Sequence, residues 1–253
     1  MNNQQTNIKT AKPETANSSV RYLQTQVLSQ RPLLKAYLGD CMDLMASTAD
    51  NHYDLAIVDP PYGKKPSRDG IGACKRNFSQ RDNKWDIKPY QKYFNELRRV
   101  SKNQIIWGAN HLLENLTETN CFIVWDKVNE KSVMADCELA WTSFQTVTKI
   151  FRYMWNGMLQ EDMKNKEQRI HPTQKPVALY RWLLKNYAKA GQRILDTHGG
   201  SFSSAVACHT EGYEMDICEI DEEYYNAGIK RFKEVIEQPL FDEPERWEQL
   251  SCI

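Results

Sequence analysis

The residues with the most specific chemistry in this chain are Asp59, Pro60, Pro61 and Tyr62, which directly follow the apolar segment 55–58. An acid, two prolines and an aromatic residue rarely occur in this order by chance, because proline makes up only about 5% of average protein sequence. If the apolar segment is a strand of an open α/β sheet, the four residues lie at its carboxyl end, where such sheets bind ligands. We therefore predict part of a cleft here, rather than a proline-stiffened turn around a structural aspartate.

The chemistry that these four residues suit is transfer of a methyl group to the exocyclic amino group of a nucleobase. Such a nitrogen is a poor nucleophile, because its lone pair is delocalised into the ring. The Asp59 carboxylate and the Pro60 carbonyl would accept its two N–H bonds and expose the lone pair, and Pro61 would fix the direction of that carbonyl through its restricted φ. Tyr62 would offer a flipped base an aromatic face, a contact worth about 1–3 kcal/mol at other stacking sites.

Two further blocks indicate a bound cofactor. The first, HPTQKP over residues 171–176, opens a predicted helix, and the second lies between a predicted strand and the next helix. A turn of small residues there lets the backbone approach a ligand, and an acid ending the following strand can accept both hydroxyls of a ribose. That acid is Glu219, 23 residues after the start of the turn. The turn comprises Asp196, Thr197, His198, Gly199, Gly200 and Ser201.

The elements that must position these blocks alternate between short apolar segments and longer helical ones, which is typical of a sheet with crossover helices. Pro176 and Gly191 mark the ends of one predicted helix, and Asp221 is placed to cap the last one. We therefore predict an α/β fold of about seven mostly parallel strands with helices on both faces. The predicted strands are residues 34–38, 54–58, 104–107, 122–125, 138–143, 193–195 and 214–218.

The domain organisation follows from length and local composition. The 253 residues fit one α/β domain, which we place at residues 31–253, after a flexible arm at 1–30 rich in Asn, Gln, Thr and Ser. Two stretches, 63–88 and 145–170, match neither the helical nor the strand period and are predicted to be functional loops.

Charge is distributed unevenly along the chain, although acidic and basic residues both number 33. Residues 64–84 carry seven basic residues against two acids, whereas residues 211–248 carry thirteen acids against four basic residues.

Composition excludes several other classes of protein. Hydrophobic residues at 41% and charged residues at 26% are close to globular averages and exclude collagen-like, disulfide-scaffold and wholly disordered chains. No apolar run approaches the roughly 18 residues of a membrane helix, and the first residues lack a signal peptide, so a cytoplasmic protein without a membrane partner is expected. Seven cysteines without a metal-ligand spacing predict reduced thiols and no metal site.

Taken together, the three blocks resemble the amino-group DNA methyltransferases of the permuted β class, in which the DPPY block precedes the cofactor blocks. The resemblance covers nearly all of residues 34–236. It implies a Rossmann-like sheet of about seven strands, S-adenosylmethionine as cofactor and double-stranded DNA as partner. The implied activity is site-specific methylation of adenine N6 with base flipping, as in restriction-modification, and a homodimer is left open.

The resemblance also implies a role for single residues. Residues 59–62 match the catalytic block. Thr173 and Lys175 would flank the methionine end of the cofactor, Glu219 would bind its ribose, and Asp40 would contact its adenine. The full set implied in cofactor binding is Asp40, Thr173, Lys175, Asp196, His198, Gly199, Gly200, Ser201 and Glu219.

Phe202 departs from the family pattern, because the family commonly has the last glycine of the cofactor loop at this position. A side chain there requires a backbone with φ below zero, or strain. We expect a different loop path with Phe202 packed in the core; the alternative is weak or lost cofactor binding. His198 is expected either to contact the cofactor or to pack and hydrogen-bond within the loop.

The predicted target is adenine in DNA, since Asp at the first position of the block is commoner in adenine-N6 enzymes of this family and Ser in cytosine-N4 enzymes. The alternatives are cytosine N4, adenine N6 in RNA and a non-catalytic DNA-binding relative. Protein glutamine methylation uses a related block that usually begins with Asn, so Asp59 and the permuted order of the blocks argue against it.

The residues predicted to contact DNA lie in the loop 63–88 and in the small target-recognition insert 145–170. Tyr153 and Trp155 of the insert would either stack on DNA or pack on the sheet edge. The predicted contacts are Lys64, Lys65, Arg68, Lys75, Arg76, Arg81 and Lys84 in the loop, and Arg152, Lys164 and Arg169 in the insert.

Overall fold

The computed structural model describes residues 23–63, 86–129, 135–156 and 159–237. Its strands are β1 (Gln24–Gln30), β2 (Leu33–Leu38), β3 (Tyr53–Val58), β4 (Ser101–Trp107), β5 (Phe122–Asp126), β6 (Cys137–Thr142), β7 (Lys149–Arg152), β8 (Trp155–Asn156), β9 (Leu159–Gln160), β10 (Arg193–Asp196) and β11 (Glu214–Glu219). Its helices are α1 (Cys41–Ala46), α2 (Gln91–Val100), α3 (Ala109–Leu112), α4 (Val177–Tyr187), α5 (Ser203–Glu211) and α6 (Glu222–Ile236), with a 3-10 turn over Leu113–Asn115. Seven predicted DNA contacts lie outside the described residues, namely Lys64, Lys65, Arg68, Lys75, Arg76, Arg81 and Lys84.

Nine strands form one sheet in the order β1-β2-β11-β10-β3-β4-β6-β5-β7, and β8 and β9 form a separate hairpin. The five strands from β2 to β4 in this order are parallel to one another. Strand β6 runs antiparallel to both of its neighbours, and β7 is parallel to β5. All seven predicted strands are present, so the predicted α/β fold is confirmed, and the sheet is wider by the two edge strands β1 and β7.

Strand β1 corrects the prediction of a flexible arm over the whole of residues 1–30. Its residues pair antiparallel with β2, from Gln24 opposite Leu38 to Gln30 opposite Leu33. They are all exposed or half-buried, so backbone hydrogen bonds at the sheet edge hold this strand, together with the half-buried Leu28, which packs against the core. Its polar composition lacks the apolar alternation by which a strand is usually predicted.

Strand β7 corrects the prediction that the target-recognition insert lacks regular structure. Its four residues extend the sheet beside β5, and Phe151 is its buried residue. One inward residue in four is too short a pattern to separate a strand from a loop. Tyr153 and Trp155 are also buried, and Trp155 Nε1 donates to the Gln174 carbonyl at 3.0 Å. Packing is therefore the interpretation that the structure confirms for these two aromatic residues.

The two faces of the sheet bury separate apolar clusters, because side chains along a strand point alternately to either side. In β3, Leu55 and Ile57 belong to one cluster, and Ala56 and Val58 to the other. Helices α4, α5 and α6 cover the first face, and α1, α2 and α3 cover the second. Covered faces are what parallel strands with crossover helices require.

The direction of the crossovers reverses between β10 and β3, which are neighbours in the sheet. From β3 the chain crosses to β4 on one side, and from β10 it crosses to β11 on the other. A crevice forms at the carboxyl ends of strands where crossovers diverge, and open α/β sheets bind ligands there. The DPPY block follows β3 and the small-residue turn follows β10, so both begin at this crevice.

Within the described ranges, no helix is both long and apolar enough to cross a membrane. The cysteines that can be placed there, at positions 41, 121, 137, 208 and 218, are free thiols, in agreement with the predicted reduced state.

Candidate active site

Strand pairing brings four acids into a row along the carboxyl edge of the sheet. Glu219 ends β11 and Asp196 ends β10, which is its parallel neighbour. Asp59 directly follows β3, on the other side of β10. Asp40 follows β2, the other neighbour of β11, and caps helix α1 by accepting from Met42 N at 2.8 Å. The predicted catalytic and cofactor-binding blocks therefore share one edge.

Tyr62 lies directly beside the predicted catalytic carboxylate. Its hydroxyl donates a hydrogen bond to Asp59 Oδ1. Its ring covers Gly108, where a Cβ would lie 2.0 Å from Tyr62 Cε1. Gly108 also has φ +70°, so glycine provides both the left-handed turn and the room for the ring. The His111 ring lies 5.0 Å away, tilted by 43°, and completes an aromatic wall at this side of the crevice.

Lys175 joins the HPTQKP block to the DPPY block from a buried position. Its ammonium donates to Asp59 Oδ2 and lies 3.1 Å from Glu138 Oε2. Burial acts to lower the pKa of this ammonium, but the two carboxylates outweigh burial and raise it. Burial likewise acts to raise the pKa of Glu138, but Lys175 and Lys127 outweigh it and lower that pKa to about 2. Lys175, which the resemblance assigns to the cofactor, thus binds Asp59 here.

Glu219 is fastened by two backbone amides at the end of β11. Gly200 N donates to Oε2 at 2.7 Å, and Asp221 N donates to Oε1 at 2.8 Å. Burial raises the pKa of this carboxyl against the opposing effect of the amides. The Asp221 side chain is occupied as the cap of α6, where it accepts from Glu223 N and Tyr224 N. Of the two acids, Glu219 is therefore the one oriented toward the small-residue turn.

The small-residue turn is held by polar contacts of its own. Asp196 accepts from Ser204 Oγ at 2.6 Å and from His198 N at 3.0 Å, and burial raises its pKa to about 7. His198 Nδ1 lies 2.8 Å from Thr197 Oγ1, and the His198 ring meets the Tyr93 ring edge-on at 5.5 Å. Burial lowers the pKa of His198 to about 4, so this imidazole is neutral at pH 7. The predicted hydrogen-bonding role of His198 is present.

Phe202 is buried, as predicted, but its backbone differs from the prediction. Its side chain is fully enclosed, yet its φ is +59°, in the left-handed region where we expected a negative φ. The ring fits between two glycines: a Cβ at Gly228 would lie 2.5 Å from Phe202 Cδ1, and a Cβ at Gly199 would lie 2.8 Å from Phe202 Cε1. The turn keeps the backbone of a glycine loop at a cost in strain, because Phe202 is anchored in the core.

The HPTQKP block also contacts the small-residue turn. The His171 ring lies 3.5 Å from where a Cβ at Gly200 would stand, and it packs edge-on against Tyr224 at 4.3 Å. Thr173 Oγ1 lies 3.1 Å from His171 Nδ1. With Lys175 on Asp59, this block links the predicted catalytic and cofactor-binding residues.

A buried ion pair that the sequence did not predict links the insert to the small-residue turn. Arg231 of α6 donates to the Ser201 carbonyl at 2.7 Å and to Glu167 Oε2 at 2.6 Å. The other oxygen of Glu167 accepts from Val177 N at 3.0 Å, at the start of α4. Arg231 lies in line with Tyr224 and Gly228, beside the apolar stripe of α6, so the sequence carries no local signal for this partner.

The predicted DNA contacts within the insert differ in exposure. Arg152 is largely exposed and pairs with Asp126 at 3.0 Å, and Lys164 is exposed. Arg169 is half-buried and donates to the Pro172 carbonyl at 2.7 Å, next to the HPTQKP block. In the described part of the chain, no group of three or more His, Cys, Asp or Glu residues is arranged to hold a metal ion.

Comparison with known proteins identifies relatives of this chain. It is 25% identical over 212 residues to the type II methyltransferase M2.MboI of Moraxella bovis, covering 68% of this chain and 77% of the relative. It is also 25% identical over 211 residues to the putative methylase YubD of Escherichia coli K12, covering 78% and 89%. The type II methyltransferase M.HinfI of Haemophilus influenzae is 22% identical over 246 residues, covering 79% and 68%.

Solved structures share the fold. The cytosine-N4-specific PvuII DNA methyltransferase superposes with a TM-score of 0.52 at 14% identity, covering 79% of this chain and 86% of that one. The M1.HpyAVI–SAM complex superposes with a TM-score of 0.50 at 20% identity, covering 78% and 99%. The family model described as DNA methylase matches residues 103–230, half of the chain. The chain therefore belongs to this family of DNA methylases, which comprises N6 and N4 amino-methyltransferases.

Proposed function

We propose that this protein transfers a methyl group from S-adenosylmethionine to N6 of adenine in double-stranded DNA. The observation that carries the proposal is the placement of Asp59 at the end of β3, next to Tyr62 and beside the crevice at β10. Membership of the DNA methylase family supports an exocyclic amino group as the target. Aspartate rather than serine at the first position of the block favours adenine over cytosine.

The residues at the crevice fit the chemistry of this cofactor. Glu219 offers a buried carboxylate to the ribose hydroxyls, and Gly200 approaches it with a left-handed backbone and no side chain in the way. Asp40 lies beyond the neighbouring strand, toward the adenine end. Thr173 stands at the opposite end, where a carboxylate would be bound, whereas Lys175, which the resemblance assigns to the same end, is already paired with Asp59 and Glu138. When bound, the cofactor supplies an electrophilic methyl group.

The chain itself must activate the target nitrogen. Asp59 accepts one N–H of the amino group and the Pro60 carbonyl accepts the other, which exposes the lone pair. Both Asp59 oxygens already have donors, Tyr62 Oη and Lys175 Nζ, and each oxygen has a second lone pair that can accept from the amino group. Tyr62 is the donor that gives way when the base enters, because its hydroxyl is neutral, whereas Lys175 is a buried ammonium whose charge Asp59 helps to offset. The released Tyr62 ring is then able to stack on the flipped base.

The same proposal assigns roles in DNA binding to the basic loop and to the insert. Residues 31–253 form one catalytic domain, the basic loop 63–88 faces the DNA, and the insert 145–170 contributes to recognition. Arg152 and Lys164 are exposed on that insert and suit phosphate contacts. Arg169 contacts the HPTQKP block and suits a positioning role between the insert and the cofactor loop.

Product identification tests this proposal. The protein is incubated with S-adenosylmethionine carrying a labelled methyl group and with DNA of mixed sequence, and the DNA is digested to nucleosides for mass spectrometry. We expect label in N6-methyldeoxyadenosine. Label in N4-methyldeoxycytidine would assign the other activity of the family, and label in neither, with retained DNA binding, would indicate a non-catalytic relative.

A further inference from the structure

Glu138 lies near the start of β6 and forms an ion pair with Lys175, which also pairs with the proposed catalytic carboxylate of Asp59. A continuous row of polar groups leads from Tyr62 through Asp59, Lys175 and Glu138 to Lys127. Charges alternate along the four charged members of this row, from Asp59 to Lys127. Among the described residues, Lys175 alone touches both carboxylates, so we infer that Glu138 acts on Asp59 through Lys175.

The burial of Lys175 makes its second carboxylate necessary. The side chain is 3% exposed, while those of Asp59 and Glu138 are 14% and 29% exposed. A buried ammonium is stable only when it is paired. If Asp59 were its only partner, Lys175 would bind the Asp59 carboxylate more tightly. That carboxylate would then be a poorer acceptor for an incoming amino group. Glu138, with its Oε2 3.1 Å from Nζ, provides a second place for the positive charge.

We propose that Glu138 is a positioning residue for methyl transfer, which shares the Lys175 ammonium with Asp59 and so keeps Asp59 available to the target amino group. This inference rests on the proposed function and assigns a residue outside the DPPY and cofactor blocks to the same site. Lys127 competes with Lys175 for the Glu138 carboxylate, because it binds the other oxygen of Glu138. Weakening the Lys127 contact turns Glu138 further toward Lys175, whereas neutralising Glu138 turns Lys175 further toward Asp59.

Two isosteric or near-isosteric variants therefore act in opposite directions. Glu138→Gln is expected to lower kcat about tenfold, which corresponds to about 1.4 kcal/mol of transition-state stabilisation, with the affinity for S-adenosylmethionine unchanged. Lys127→Gln is expected to raise kcat. Glu214→Gln is the matched control, since it removes a carboxylate from an ion pair with Arg193 at the opposite end of the sheet.

A measurement without cofactor or DNA separates this inference from the proposed function. Carbon-13 NMR of protein labelled at the aspartate carboxyl carbons identifies the Asp59 signal by its loss in Asp59→Asn. We expect this signal to move in Glu138→Gln, to move in the opposite direction in Lys127→Gln and to stay in place in Glu214→Gln. An Asp59 signal unmoved by both variants would overturn the inference, and so would equal loss of kcat in both. Failure of the wild type to methylate DNA would instead refute the proposed function.

Discussion

Replacing Gly228 with alanine should destabilise the protein, although the same change in most helices is stabilising. Alanine is favoured over glycine inside a helix by about 1 kcal/mol. Here the new Cβ would lie 2.5, 2.7 and 2.9 Å from three carbons of the Phe202 ring, whereas unstrained carbon atoms sit at about 3.5–4.0 Å. The ring cannot withdraw easily, because Gly199 confines it on another side and Tyr225 packs against it edge-on at 6.1 Å.

The size of the effect follows from these opposing terms. Overpacking of a closed core costs about 1–3 kcal/mol, and the confinement of the ring places this site at the upper end. Subtracting the helix gain of about 1 kcal/mol leaves a net destabilisation of about 2 kcal/mol. The displaced ring also moves the turn that contains Gly200, so affinity for S-adenosylmethionine should fall.

Urea denaturation of four proteins measures the effect: wild type, Gly228→Ala, Phe202→Gly and the double variant. Phe202→Gly removes the ring and relieves the left-handed strain, so its cost is the lost burial of the ring, the cavity that it leaves and the greater backbone freedom of glycine in the unfolded chain. In that background the alanine methyl enters vacated space, and Gly228→Ala should become neutral or stabilising. An equal destabilisation in both backgrounds, or a gain of stability in the wild-type background, would refute the packing of Phe202 between the two glycines.

Three further outcomes follow from the site and its loops. Glu219→Gln should weaken S-adenosylmethionine binding by about 1.5–3 kcal/mol in calorimetry, whereas Asp221→Asn, which alters only a helix cap, should not; an unchanged affinity in the first variant would exclude Glu219 as the ribose acceptor. Because burial raises the pKa of Asp196 to about 7, this carboxyl contributes stability that falls as pH rises from about 4 to about 7, whereas the neutral His198 contributes the opposite slope; Asp196→Asn should therefore gain stability relative to the wild type as pH rises through this window, measured by denaturation at several pH values. Replacing Arg76 and Arg81 together with Gln should reduce the salt dependence of DNA binding by nearly two in log–log slope, about 0.9 for each phosphate contact, equally on target and non-target duplexes; an unchanged slope would make the loop a solvated surface.

Periodicity and motif spacing predict most of this fold and much of the site. The strands around the crevice are short apolar segments with clear ends, and the acids that follow them are therefore placed by strand pairing alone. Strand β1 escapes prediction because its polar residues are held by backbone hydrogen bonds. The φ of Phe202 escapes because it depends on Gly228, 26 residues later, whose missing side chain makes room for the ring.

Tertiary contacts also decide the partners of the charged residues. The sequence shows Lys175 only as part of the HPTQKP block, and its pairing with both Asp59 and Glu138 arises from the meeting of three separate segments. Arg231 and Glu167 are likewise brought together from 64 residues apart. Contacts of this kind are set by packing and have no local pattern to predict them.

Asp59 is proposed to activate an adenine amino group, and a comparison of methyl transfer by Asp59→Ala and the wild type measures this role. Turnover on duplex DNA, analysed as labelled nucleosides, and calorimetric affinity for S-adenosylmethionine are measured on the same preparations. We predict N6-methyldeoxyadenosine from the wild type, none from the variant, and nearly equal cofactor affinity. Turnover retained by Asp59→Ala would contradict this role, and loss of cofactor affinity with turnover would place Asp59 in the cofactor site instead.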